Sequence, residues 1–459
     1  MAGIGFELRK IFGKKTLLSR TWGVFYASMV SVGPALVFIV LLLLIRFLMQ
    51  YYYATELESL FFTSSFTYAF LVAILVSAFM NTVVSRYVSD QVFCEKEDDI
   101  CASMFGVLTI SSVISGIVGI VLCVGMYHKD RLPISFLVAY YLLIILASNV
   151  YNMITYVSAL KEYLKVTLSY VVGVIITIVS FFLFYHIFEL QLVFAVYWAL
   201  VTGFFMINML LVCACVKMFG KPSNNYFAFL SYFMKHYKLL LSGCAYMGGF
   251  YISNIIYWHF SDMSVQISIF RTAPNYDMAL FLAMLVNLSG MVIFEVKTET
   301  TFYEKYVEYL SAINKGTYDL IESRRVALQN TISLQLFFLY EVQLIITIVL
   351  ICLANIFYPY LGFSSQILNI LLLLGMGLFC TFCMYFTVIF LYYFEDHGAA
   401  AISTTVYFGI VFIGSVICCV FGEPYYPLPV LVGGISGWIV SFILLRKRLK
   451  NLNAHLLCR

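Results

Sequence analysis

The chain has 459 residues, 63% of them hydrophobic and only 11% charged, with a net charge of +4. An ordinary soluble domain carries about 25% charged residues, so this composition excludes a water-soluble core of the usual kind. The basic residues are scattered along the chain, which excludes a nucleic-acid-binding patch.

The opening segment, Ala2 to Lys15, sets Ile4, Leu8 and Ile11 on one helical face, opposite Glu7, Lys10 and Lys14. Two readings fit: a short helix lying in the membrane interface, or a charged tail. The segment is charged and the apolar run after it is too long for a signal core, so no cleavable signal peptide is expected.

About 20 apolar residues cross the roughly 30 Å hydrocarbon core of a bilayer. Charge-poor blocks predict twelve such spans, at 21–49, 60–84, 102–126, 135–159, 167–188, 191–215, 239–260, 277–296, 331–356, 366–393, 399–421 and 427–445. The fold class is therefore an all-α integral membrane protein, expected as two six-helix lobes around a central cavity. The lobes are expected at 1–216 and 239–445, joined by a cytoplasmic linker at 217–238 and followed by a cytoplasmic tail at 446–459. Layouts of this kind recur in transporters built from repeats.

Polar groups inside spans are costly unless they face other helices or a wet cavity, so they mark candidate sites. In span one, Gly33-Pro34 is a candidate hinge, because Pro34 removes a backbone donor. Arg46, near the outer end of that span, either snorkels to the headgroups or faces a cavity. Span two carries Ser77, Asn81 and Ser85 at a spacing of four, with Arg86 after them; span four repeats the pattern at Ser148, Asn152 and Thr155. Each line is either helix–helix hydrogen bonding or a hydrated wall. Span seven has the richest stripe: Tyr246, Phe250, Ser253, Asn254 and Tyr257, with Trp258 and His259 beyond. Aromatic faces with amide and hydroxyl groups suit a sugar-binding wall; buried packing is the alternative. Glu341 interrupts span nine and is a possible proton-coupling group, or the partner of a buried Arg or Tyr.

The loop at 297–330 is the longest polar stretch. Phe302, Tyr306 and Tyr309 recur there at helical spacing, reading as an extension of span eight or an amphipathic helix at the inner surface. Cys380 and Cys383 form a C-x-x-C in the middle of an apolar span and read as packing; no metal site and no cofactor is expected. An even span count puts both termini on one side. Placing that side in the cytoplasm assigns it 23 of the 27 Lys and Arg residues, leaving Lys129, Arg131 and Arg271 outside and Arg46 within a span.

Four stretches carry a family resemblance: MAGIGFELRKIF at the amino terminus, SRYVSDQVF at 85–93, YDMALFLAMLVNLSGMVIFEVKTETTFYEKY at 276–306 and YYFEDHGAAA at 392–401. They resemble PelG, the membrane component of Pel exopolysaccharide export, within the multidrug/oligosaccharidyl-lipid/polysaccharide flippase superfamily. The resemblance implies two six-helix lobes around a cavity. It also implies movement of a polymer rich in N-acetylhexosamine, or its lipid-linked precursor, across the bacterial cytoplasmic membrane. The implied partners are a cytosolic glycosyltransferase of the PelF kind and membrane partners of the PelD and PelE kinds. Arg86 and Asp90, then Asp277, Glu295 and Glu299, stand in the matching stretches.

The expectation is thus a non-enzymatic exporter. Its wall would comprise Arg46, Ser77, Asn81, Arg86, Tyr246, Ser253, Asn254 and Tyr257. The rivals are a cation-coupled drug-efflux pump, a membrane-bound transferase and a non-transporting scaffold for the synthase.

Overall fold

A segment in lipid must satisfy its own backbone, and an uninterrupted helix does so locally. The computed structural model, which describes residues 33–159, 163–361 and 364–457, follows that rule closely. Among the described residues, eleven helices are long and apolar enough to span a membrane, and a shorter apolar helix, Ile39–Tyr51, precedes them. The chain is an all-α multi-pass membrane protein. Span one is described only from Gly33, so the turn before Pro34, against which the expected bend would be seen, lies outside the described residues, as does the amphipathic amino terminus.

The chain divides into two compact units. Among the described residues, one comprises 33–240 with 266–271, the other 241–265 with 272–457. In the first unit the elements are α1 (Gly33–Tyr51), α2 (Glu56–Phe93), α3 (Glu97–Asp130), α4 (Ile134–Ala159), α5 (Tyr163–Phe182), α6 (Leu192–Phe219) and α7 (Leu230–Lys235). A capping box starts α2: Thr55 Oγ1 accepts from the Glu58 N–H at 3.3 Å while the Thr55 N–H donates to Glu58 Oε2 at 2.9 Å. The helix ends in a left-handed turn at Glu95, φ 57°, with Lys96 N–H bonded to the Gln91 carbonyl.

The core of this unit is knit by polar side chains between helices. Asn81 Nδ2 donates to the Tyr151 carbonyl at 3.2 Å and Thr155 Oγ1 donates to Asn81 Oδ1 at 3.1 Å. Asn152 Nδ2 donates to Ser111 Oγ at 2.9 Å. Helices α5 and α6 approach closely at Gly203, where an added Cβ would stand 1.8 Å from Thr177 Oγ1. The segment read as a linker is folded onto this unit: Ser223 Oγ donates to Asp99 at 2.6 Å, Phe229 is fully buried, and Gly106 leaves room for the Tyr226 carbonyl.

The second unit contains most of α8 (Tyr237–Phe260), then α9 (Pro274–Ile293), α10 (Thr300–Lys315), α11 (Tyr318–Leu361), α12 (Ser365–Tyr393), α13 (His397–Phe421), α14 (Leu428–Lys450) and α15 (Leu452–Leu457). Strands β1 (Val265–Ile267) and β2 (Phe270–Thr272) form a hairpin between α8 and α9, and its residues 266–271 belong to the first unit. Helix α12 is the most enclosed span. It meets α14 along a glycine seam, where Gly434 faces the Gly377 carbonyl.

A π-helical stretch, Phe294–Glu299, runs from α9 into α10. The aromatic face of α10 is real: Phe302 is fully buried against Phe390 and Tyr393, and Tyr309 donates to Asn453 Oδ1 at 2.7 Å. Asn453 in turn donates to Glu322, Arg325 holds Glu322 and the Leu449 carbonyl, and Arg448 pairs with Asp396, which caps α13 through the Ala399 N–H. One polar chain thus fastens together the ends of α10, α11, α13 and α14. Burial pushes the Tyr309 hydroxyl up to about 12. Lys305, hydrogen-bonded to Glu308, holds that carboxyl below its usual range, with Arg324 adding to the effect.

Candidate transport site

The stripe on α8 turns inward within its own unit. Tyr246 is 7% exposed and its ring lies 4.7 Å from that of Tyr385 on α12, nearly parallel at 22°. Ser253 is fully buried and accepts from the Tyr276 hydroxyl at 3.0 Å. Asn254 Nδ2 donates to Asp277 Oδ1 at 2.7 Å, and Trp258 Nε1 donates to the same carboxylate at 2.9 Å. The Ala273 N–H adds a third donor at 3.2 Å. Asp277 sits in the first turn of α9, where the helix dipole also favours its negative charge. Tyr257 donates to the Tyr426 carbonyl at 2.8 Å and stacks on the Tyr426 ring.

These contacts place the α8 stripe in the interior of the second unit in this conformation. Tyr385 was not singled out from sequence. It is half-buried, with the enclosed Tyr246 ring behind it. Its only sequence signal is one tyrosine among many in an apolar helix.

In the first unit, Ser77 is buried and bonded to the Ile74 carbonyl at 2.8 Å, and Asn81 is engaged with α4 as described above. Arg86 is half-buried and pairs with Asp90 at 3.2 Å, one turn away, which is the geometry of the R-Y-x-x-D spacing. Burial pushes the nearby Tyr232 hydroxyl above its usual range, and the Asp90 charge adds to it. Arg46 is exposed on α1.

Glu341 is not enclosed by protein. It is exposed on α11, and among the described residues it makes no ion pair. Gln343, two positions on, is buried instead; it donates to the Val286 carbonyl and to Asn287 Oδ1 and accepts from Ser289. The reason for the difference is rotation: two residues along a helix turn the side chain by about 200°. Glu295 is half-buried, and the side chain of Glu299 lies outside the described residues. Among the described residues no group of three or more His, Cys, Asp or Glu is placed to hold a metal ion. The arrangement holds no nucleophile–base constellation in the stripe; its chemistry is that of aromatic faces, amides and hydroxyls.

Comparison with known proteins decides the family. The profile of PelG, described as "Putative exopolysaccharide Exporter (EPS-E)", matches residues 1–456. The chain belongs to the PelG family. No curated protein matches the sequence. Among solved structures, it is similar to an outward-facing multidrug resistance MATE family transporter of the MOP superfamily. That match has 13% identity over 93% of this chain and 96% of the other, with a TM-score of 0.65. A MOP superfamily transporter from Pyrococcus furiosus, reported with a binding pocket of reversed polarity, matches with 13% identity, the same coverage and a TM-score of 0.64. The Vibrio cholerae MATE transporter VcmN matches with 11% identity over 99% of both chains and a TM-score of 0.62. At such identities these matches show a shared fold. The PelG-family chain therefore has the fold of MATE-type transporters.

Proposed function

We propose that this chain exports an exopolysaccharide of the Pel type, as polymer or lipid-linked precursor, across the bacterial cytoplasmic membrane. The observation that carries this reading is the PelG family match over residues 1–456, on a chain with a transporter fold. Both termini would lie in the cytoplasm. The charge bias supports that side, as does the polar block of the second unit, which gathers Lys305, Arg324, Arg325 and Arg448 at one end. The polymer would be supplied by a cytosolic glycosyltransferase of the PelF kind, with PelD-like and PelE-like membrane proteins in the same assembly.

The half-buried Tyr385, backed by Tyr246, is the surface best suited to a sugar ring in the second unit, and in the first the wall cations would be the exposed Arg46 and the half-buried Arg86, which Asp90 holds. Tyr246, Ser253, Asn254 and Tyr257 would act from behind, by holding α8 against α9 and α12. Transport needs no covalent chemistry from this chain, and the reading is non-enzymatic. The test is reconstitution of the synthase and this protein in sealed vesicles. Protected polymer in the lumen, dependent on this chain, supports export; polymer confined to the synthase side refutes it.

A further inference from the structure

Helix α11 carries an exposed stripe whose one charge has nothing to neutralise it among the described residues. Between Arg325 and Glu395 the only charged residue in the sequence is Glu341. The apolar run of α11 begins at Ile332, and Glu341 stands nine positions on, about 14 Å along the helix. That is close to the middle of a roughly 30 Å hydrocarbon core.

Leu334, Phe337, Glu341, Ile345, Ile348 and Cys352 recur at intervals of three and four and share one face. All are exposed, from 48% at Ile348 to 69% at Leu334 among the apolar ones. The opposite face is closed: Ile332, Leu336, Leu339, Gln343 and Thr347 are at most 1% exposed. A carboxylate at mid-bilayer depth on an otherwise apolar face is costly against lipid alone, because acyl chains offer neither a donor nor a cation. A two-fold contact with a second copy along this stripe would turn two Glu341 carboxylates toward each other, and like charges oppose it.

We propose that this α11 stripe is the docking face for a separate membrane-embedded partner whose helix presents a lysine or arginine at mid-bilayer depth. The apolar neighbours supply packing, and Glu341 supplies register and selectivity.

The test uses the full chain in zwitterionic lipid discs and three synthetic transmembrane peptides of Leu and Ala. Their central residue is Arg, Gln or Leu, and each carries a photoreactive group one turn from the centre. The Arg peptide is expected to bind about tenfold more tightly than the Leu peptide, the ratio a single polar pair in a membrane supplies. The Gln peptide falls between them, and Arg-peptide crosslinks map to Phe337–Ile345. In the Glu341→Gln variant the Arg preference disappears while Leu-peptide binding and the unfolding temperature stay as in wild type. Absence of an Arg preference, its survival in Glu341→Gln, or crosslinks to other helices would overturn the proposal. So would peptide-free self-association through α11 that strengthens in Glu341→Gln, which assigns the face to a second copy.

Discussion

Three Gly→Ala substitutions in the second unit have the same chemistry and different expected outcomes. At Gly434, on the seam between α14 and α12, an added Cβ would meet the Gly377 carbonyl at 2.7 Å, Thr381 Oγ1 at 3.0 Å and Cys380 Cβ at 3.1 Å. Ordinary contact begins at 3.4 Å. The nearest atom is backbone, so it cannot swing away, and two helices must part by several tenths of an ångström. Overpacking of this kind costs about 1–3 kcal/mol. At Gly409, inside α13, nothing lies within 4 Å of the added Cβ. There the methyl removes backbone freedom from the unfolded chain and improves helix propensity, a gain of about 0.5–1 kcal/mol.

At Gly422 the space is also open, but φ is +92°. With ψ at −177° this is an extended positive-φ conformation that is essentially glycine's own, and alanine there is unfavourable by about 1–3 kcal/mol. Thermal unfolding of detergent-purified protein, followed by monodisperse elution after heating, reads the order directly. For a unit of roughly 200 residues each kcal/mol moves the midpoint by about 2–4 °C. Gly409→Ala should melt above wild type, and Gly422→Ala and Gly434→Ala below it. A Gly434→Ala midpoint at or above wild type would refute the close approach of α12 and α14. A Gly409→Ala midpoint lowered as much as that of Gly434→Ala would show that the added methyl destabilises regardless of space.

Asp277→Ala leaves Asn254 Nδ2, the Trp258 indole N–H and the Ala273 N–H without their shared acceptor. It should lower stability by about 2–4 kcal/mol, and a melt indistinguishable from wild type would contradict the site. Tyr385→Ala should reduce polymer delivery into vesicles at unchanged protein level, while Tyr385→Phe retains most of it; equal delivery by all three proteins removes Tyr385 from the path. Asp396→Ala removes both the α13 cap and the partner of Arg448, and hydrogen exchange at residues 397–401 should rise; an unchanged rate argues against the cap. The depressed carboxyl of Glu308 contributes stability that is present above its ordinary value and lost as pH falls through the lower folded-state value. A spin label on Ser311, one turn along α10, should therefore gain mobility only under acid conditions; mobility already gained at neutral pH, or none gained in acid, contradicts that ion cluster.

The helices were legible from sequence far more than their faces. Charge-poor blocks found α2 through α6, α8, α9 and α11 through α14, because each span satisfies its backbone by itself. The blocks understated lengths: α2 runs to Phe93 and α11 starts at Tyr318, since helices continue through charged residues once they have left the lipid. The helical spacing within 297–330 reads as an extension of span eight or an amphipathic helix; the π-helical run from α9 into α10 and the buried Phe302 and Tyr309 agree with a helix there. The α8 stripe was visible as a stripe, but a cavity wall and a packing face have the same periodicity. Only the partners Tyr276, Asp277, Tyr385 and Tyr426, between 19 and 169 positions away, separate the two in this conformation. Glu341 was visible as a charge in a span, yet nothing local says whether it points into the unit or out of it.

By itself the sequence determined that this is a multi-pass membrane protein, which stretches cross and which side chains are too polar for lipid. Those properties follow from transfer energies and from hydrogen bonds closed within a few residues. Only the tertiary structure decided that Asn254 and Trp258 hold Asp277, that Tyr385 stacks on Tyr246 and that Glu341 looks outward while Gln343 looks inward. Those outcomes depend on rotation of each helix against its neighbours, which contacts between distant segments set.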